Sequence, residues 1–248
     1  MIPKVIHYCW FGGKPLPDNV RRCLASWRKV CPDYKIVRWS EKNFDIHCNR
    51  YVEEAYQAGK WAFVADYARL WALYQYGGIY LDTDVELLKS FDPFLEEPGF
   101  GCFENPDQIS TAVIGADRGN AFIRAQMEYY QTRSFLIKGR PDTTTNVKII
   151  TAYCLEKGLR RDNTRQKIDD FVIYPSEYFS PKDYRTLELK LTANSVAIHH
   201  YDTSWGGPWI KAKLLIKKLL GHRLSGIVSR ARSSAGQRIR KRNGEDVI

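Results

Sequence analysis

Residues 61–85, WAFVADYARLWALYQYGGIYLDTDV, decide how the rest of the chain is read. Aromatic and aliphatic side chains fill most of the first part, which predicts a buried helix, and Asp66 and Arg69, three residues apart, share one face of it. Gly77 and Gly78 supply the positive-φ stop of a helix C-terminus. The β-branched and aromatic run 79–85 then predicts a strand. Its period of two carries Asp82 and Asp84 to one face, with Tyr80 beside them, and sends Ile79, Leu81 and Val85 to the core.

Two carboxylates one strand-step apart on an apolar strand are costly to bury unless a cation or a set of hydroxyl donors satisfies them. Asp oxygens suit the hard ions Mg2+ and Mn2+, which keep substrate phosphates in their shell rather than a full protein cage. The plainer alternative for an isolated Asp-x-Asp is a strand end whose aspartates cap a turn or lie in solvent.

The longer pattern narrows the choice. Asp66-x-x-Arg69 followed by Gly77-Gly78-x-Tyr80-x-Asp82-x-Asp84 resembles the sugar-binding region of glycosyltransferase family 32 and its relatives. These include initiation-mannosyltransferase-like enzymes, bacterial capsule and lipopolysaccharide sugar transferases and, more distantly, the clostridial glucosylating toxins. The resemblance implies an α/β glycosyltransferase-A fold, a Rossmann-like mixed sheet flanked by helices. It also implies a nucleotide-sugar donor, a divalent cation (Mn2+ or Mg2+) and retention of anomeric configuration. By residue-to-residue likeness Asp84 binds the cation, Asp82 the ribose or sugar hydroxyls and also the metal, and Asp66 and Arg69 hold the donor sugar. The same likeness implies that Tyr80 helps to hold the departing diphosphate.

The N-terminal residues 2–13, IPKVIHYCWFGG, predict a short apolar strand ending in a Gly-Gly turn. Ligands of α/β sheets gather beyond the carboxyl ends of strands, which puts Trp10, Phe11 and Gly12 near a nucleotide. Family members open on a similar Ile-Pro-Lys-x-Ile-His-x-x-Trp-x-Gly-Gly, and the likeness assigns His7, Trp10 and Gly12 to the nucleotide sugar, Trp10 stacking on its base. On residue type alone, Trp10 reads first as closing the core, and His7 as a satisfied core histidine rather than a ligand. Residues 17–30 predict a helix capped by Asp18, and 34–39 a second strand, so the chain opens β-α-β with a parallel, right-handed crossover. Further strands are expected at 99–104, 110–115 and 171–179. Helices are expected at 120–132, with Phe122, Met127 and Tyr130 towards the core, and at 148–157. Residues 140–146, RPDTTTN, read as a loop, with Asn146 unassigned.

A second informative stretch is 195–209, SVAIHHYDTSWGGPW. Strand alternation there sends His199 and His200 to opposite faces. Many family members end their catalytic region with a similar His-x-x-x-Ser-Trp. The likeness places Ser204 near the cation, gives Trp205 an indole N–H towards the leaving phosphate, and selects His200 over His199 as a metal ligand. The alternative for either histidine is to cap the sheet edge.

Length fits one α/β domain: a catalytic region over 1–209 and a tail over 210–248. The six cysteines form no C-x-x-C pair, so zinc is not expected and reduced thiols are. No run of 18 or more apolar residues occurs, and the first residues form a strand pattern rather than a signal core. Of the net charge of +10, nearly all lies after Gly207, where eleven Lys/Arg meet two acids. That partly apolar, basic tail predicts reversible attachment to anionic lipid head groups, at about 1 kcal/mol per basic residue. The alternative is a solvated tail. A nucleic-acid partner is not expected, since nothing upstream resembles a reading module. The expected partners are a nucleotide sugar, with UDP-sugars ahead of GDP-mannose, and a glycan or lipid-linked acceptor. The expected location is cytoplasmic, on the inner face of the plasma membrane.

Two rivals fit less of the chain. A haloacid-dehalogenase-like phosphotransferase also places Asp-x-Asp after an apolar strand but leaves Asp66, Arg69 and the Ser-Trp ending unexplained. A non-catalytic carbohydrate-binding protein on the same fold has no use for the intact aspartates.

Overall fold

The computed structural model describes residues 1–202. Ser204, Trp205 and the 210–248 tail lie outside the described residues, as does the expected boundary at 209. Met1–Asp183 and Leu189–Asp202 form one compact unit. Tyr184–Glu188 belong to a second, and within that short segment Arg185 Nε donates to the Tyr184 hydroxyl at 2.8 Å.

The chain begins β1 (Val5–Cys9), α1 (Asp18–Val30), β2 (Lys35–Trp39), α2 (Arg50–Gln57), α3 (Trp61–Tyr76) and β3 (Gly78–Leu81). It continues with β4 (Val85–Leu87), β5 (Gly99–Asn105), β6 (Gln108–Ile109), β7 (Val113–Ala116) and α4 (Ala121–Gln131). Then follow β8 (Leu136–Ile137), β9 (Arg140–Pro141), α5 (Asn146–Glu156), β10 (Gln166–Ile168), β11 (Phe171–Tyr174), α6 (Ser176–Phe179) and β12 (Ala197–His199). The main sheet runs β10-β11-β5-β7-β3-β1-β2, with β6 on β5, and β12 and β4 form a separate antiparallel pair. β1 lies parallel to β2 and β3, whereas β7 is antiparallel to both β3 and β5. The expected mixed α/β sheet flanked by helices is the one observed.

Both faces of the sheet are buried, and β3 shows it residue by residue. Ile79 and Leu81 enter one apolar cluster with Trp27 of α1, while Tyr80 enters the other with side chains of α3, α4 and α5. Neither face can therefore take a carboxylate cheaply, and the strand expected over 79–85 is broken at the aspartates. Asp82 N–H makes the last sheet bond, to Ala112 C=O at 2.8 Å. Val85 N–H then closes a turn on Asp82 C=O at 3.0 Å, and Val85 starts β4 in the second sheet. Trp27 fastens that exit by donating its indole N–H to Val85 C=O at 2.7 Å.

The turn into β3 needs glycine. Gly77 and Gly78 have φ of +64° and +114°, and a Cβ on Gly78 would stand 2.6 Å from Val5 C=O, the price of laying β3 against β1. Smaller differences have local causes. Pro17 rather than Asp18 occupies the N-cap of α1, and Asp18 contributes its charge to the first turn. The strand expected over 171–179 stops at Tyr174 because Pro175 lacks an N–H and leads into α6. Within 140–146, Arg140 and Pro141 pair with β8, and Asn146 opens α5.

Candidate active site

α3, buried along most of its length, carries Asp66 and Arg69 inward on one face, as their spacing predicts. Arg69 is 5% exposed, and its guanidinium is fully engaged. Nη2 meets Asp66 Oδ1 at 2.9 Å, and Nη1 meets Asp82 Oδ1 at 3.3 Å and Thr111 C=O at 2.8 Å, while Nε reaches Ala65 C=O at 3.2 Å. It also lies over the Tyr80 ring, 4.6 Å from the centroid. The Tyr80 hydroxyl donates to Asp82 Oδ1 at 2.9 Å. One buried cation thus ties the helix to the first aspartate of the turn. Asn146, unassigned from sequence, completes this group by donating to Asp66 Oδ1 at 2.7 Å. Burial pushes the Asp66 carboxyl up to about 7, with Arg69 opposing and Asp82 adding to the rise.

Asp84 reaches the same place from the other side of the turn. Asp82, Asp84 and His199 each offer a ligand atom, and these atoms lie within 4.8 Å of one another. His199 Nε2 stands 3.4 Å from Asp84 Oδ1, and Asp202 N–H donates to Asp84 Oδ2 at 2.8 Å. Burial opposes ionisation of Asp84, but His199 and the neighbouring N–H groups hold its carboxyl below the usual range. Burial likewise disfavours a charged His199, yet Asp84, Asp82 and Glu104 raise its pKa above the ordinary value. Two carboxylates and an imidazole that converge in this way fit a divalent ion.

The expectation that selected His200 over His199 does not match this geometry. Its Nε2 pairs instead with Glu86 at 2.8 Å. His200 lines a separate cavity of about 210 Å³ with Asn19, Arg22, Cys23, Glu86 and Asp202. Register is the reason: β12 pairs with β4 so that His199 stands opposite Val85, next to Asp84. Alternation does send the two histidines apart, but which of them faces the aspartates depends on a partner strand more than a hundred residues away.

His7 also differs from its nucleotide-binding expectation. Trp39 donates its indole N–H to His7 Nδ1 at 3.1 Å, so Nε2 carries the proton and donates to Gly77 C=O at 2.8 Å. Both ring nitrogens are used, burial lowers the pKa, and His7 is a core histidine. Trp10 is buried in the cluster that contains Trp27, with its N–H on Lys14 C=O at 2.6 Å. Gly12 does lie in a tight turn at φ +85°, where a Cβ would stand 2.7 Å from the Trp61 ring, and its N–H meets Glu41.

Glu104, at the end of β5, is a further site residue that no motif announced. Burial pushes its carboxyl up, while His199 and the Tyr201 hydroxyl bring it down. Tyr201 packs its ring 4.0 Å from that of His199. Asp66, Asp82, Asp84 and Glu104 thus gather around one guanidinium and one imidazole, and burial opposes the ionisation of Asp66 and Glu104.

Residues 17–100 match the family described as "Glycosyltransferase sugar-binding region containing DXD motif". Inositol phosphoceramide mannosyltransferase 3 of Schizosaccharomyces pombe is 31% identical over 130 residues, 49% of this chain and 35% of its own length. The chain spans about a third of the length of that protein and of the budding-yeast relatives it matches. An uncharacterised glycosyltransferase of Acanthamoeba polyphaga mimivirus is 25% identical over 85% of this chain and 86% of its own. Among solved structures, a glycosyltransferase involved in the glycosylation of the major capsid of PBCV-1 aligns over 81% of this chain and 95% of its own, with 14% identity and a TM-score of 0.47.

Proposed function

We propose that this chain, whose residues 17–100 match the DXD-containing glycosyltransferase family, is a metal-dependent, retaining hexosyltransferase. Its donor is a nucleotide-diphosphate sugar and its acceptor a surface glycan or lipid-linked oligosaccharide. The observation that carries the reading is the convergence of Asp82, Asp84 and His199 beside the Asp66–Arg69 pair. Asp82, Asp84 and His199 would hold the ion, which when bound offsets the charge of a departing diphosphate. Asp66, held by Arg69 and Asn146, presents a buried carboxylate to sugar hydroxyls. Arg69 keeps Asp82 oriented and is itself too enclosed to swing. The mannosyltransferase names of the yeast relatives favour mannose as the sugar, so GDP-mannose stands beside the UDP-sugars as a donor to be tested.

The basic stretch 210–248 supports a second part of the proposal: attachment to the anionic inner face of the plasma membrane, where lipid-linked acceptors reside. Among the described residues no helix is long and apolar enough to cross a membrane.

The test measures hydrolysis of GDP-mannose and of UDP-hexoses with Mn2+ and with chelator, in the wild type and two histidine variants. Turnover is expected with Mn2+ and is lost with chelator. His199→Ala is expected to weaken Mn2+ activation by at least about tenfold, whereas His200→Ala leaves it within twofold. No nucleotide-sugar turnover under any of these conditions, or equal effects of the two variants, defeats the proposal.

A further inference from the structure

Gln126, on the inner face of α4, is 3% exposed, and its amide Nε2 has no hydrogen-bond partner among the described residues. Leaving such a group unmet costs about 1–3 kcal/mol, so a native interior supplies a partner. Beside it lies a cavity of about 10 Å³, bordered by Gln126, Asp66, Arg69, Thr111 and Asn146 and otherwise mainly by aliphatic side chains such as Ile150. That volume is about one water probe sphere, and a buried water needs two to four polar partners. Most of the lining is apolar, so the few polar groups that border it, the Gln126 amide and the Asp66 carboxylate among them, are where a water is held. Exchanging the amide oxygen and nitrogen of Gln126 alters nothing, because water donates as readily as it accepts.

We infer that this cavity holds one ordered water that links Gln126 to Asp66, making Gln126 a positioning residue for the carboxylate that grips the donor sugar. The water half of the inference stands on the cavity alone; the positioning half rests on the function proposed above. Asp66 Oδ1 is already shared by Arg69 and Asn146, so a water on its other flank fixes the rotation of the carboxylate. Side-chain ties come from α3 and α5, and the water adds α4, so that Asp66 is braced by three helices.

A high-resolution crystal structure of the full chain is expected to show an ordered water within hydrogen-bond reach of Gln126 and Asp66; an empty cavity overturns the inference. Gln126→Met replaces the amide with an apolar side chain of similar length. If the water is present, the variant loses its hydrogen bond and melts lower by roughly 2–4 °C. If Gln126 is truly unmet, removing the orphaned donor raises the melting temperature, which also overturns the inference. With GDP-mannose or UDP-hexose as probe, Gln126→Met is expected to raise the donor KM about two- to tenfold, the equivalent of one hydrogen bond, with kcat and Mn2+ activation within twofold. An unchanged KM removes the positioning role. Should the wild type turn over neither donor, the proposed function fails, while the crystal and the melting shift still decide the water.

Discussion

Asp84→Asn is expected to cut Mn2+-dependent turnover of a nucleotide sugar by more than about a hundredfold while leaving the fold intact. Outer-shell partners of a metal ligand already cost about 10–100-fold when removed, and the loss of a charged ligand exceeds that. Asn keeps the shape, so Asp202 N–H retains an acceptor in place of Oδ2 and the turn into β4 survives. What disappears is the negative charge beside His199, 3.4 Å away. The wild-type pair also adds stability in a defined window. The depressed Asp84 contributes above the ordinary carboxylate range and loses this as pH falls through its folded pKa. The elevated His199 contributes most below its ordinary value and loses this as pH rises through its folded pKa. Asp84→Asn should flatten that profile, as read by melting temperature against pH. Activity within tenfold of wild type would remove Asp84 from the metal site.

The largest structural effect is expected at Arg69. Arg69→Met takes away the guanidinium that faces both Asp66 and Asp82 and leaves Asp66 buried without its counter-charge. Breaking a buried pair from one side costs about 3–5 kcal/mol, which lowers the melting temperature of a domain this size by roughly 6–20 °C. The pH dependence has a definite sign. Asp66 is raised towards about 7 even with Arg69 present, so ionising it costs the folded state stability as pH rises from the unfolded carboxylate range through the folded pKa. Without Arg69 that penalty grows and extends to higher pH, and the deficit of the variant should be smaller at pH 5 than at pH 8. A melting temperature within 2 °C of wild type at pH 8 would mean that the guanidinium contributes no net stability.

The parts that sequence alone located are those set by local rules. The apolar density of 61–76, the glycine stop and the Asp66/Arg69 spacing gave α3 and its inward face, because helical periodicity needs no knowledge of partners. The alternation rule failed at Asp82 and Asp84 for a physical reason. It assumes a strand with one polar face, and here both faces of β3 are apolar, so the backbone leaves the sheet and a turn converges the side chains. Asn146 lies 80 residues from Asp66 with no pattern joining them, and Glu104 stands at the end of a strand that reads as plain core. His199 depended on the register of β12 against β4, and His7 on an indole from β2 that satisfies its second nitrogen. Each of these is a tertiary fact, set by pairing between distant segments.

If Asp82, Asp84 and His199 hold the proposed ion, the stability of the fold becomes a gauge of it. An ion that binds the folded chain and not the unfolded one stabilises it by mass action. Free Mn2+ at about a hundred times its Kd should add about 2.7 kcal/mol, or roughly 5–11 °C in melting temperature, with no sugar nucleotide in the tube. A simple melt can therefore rank Mn2+, Mg2+ and Ca2+ before any substrate is known, and the order it returns describes the cradle rather than the reaction.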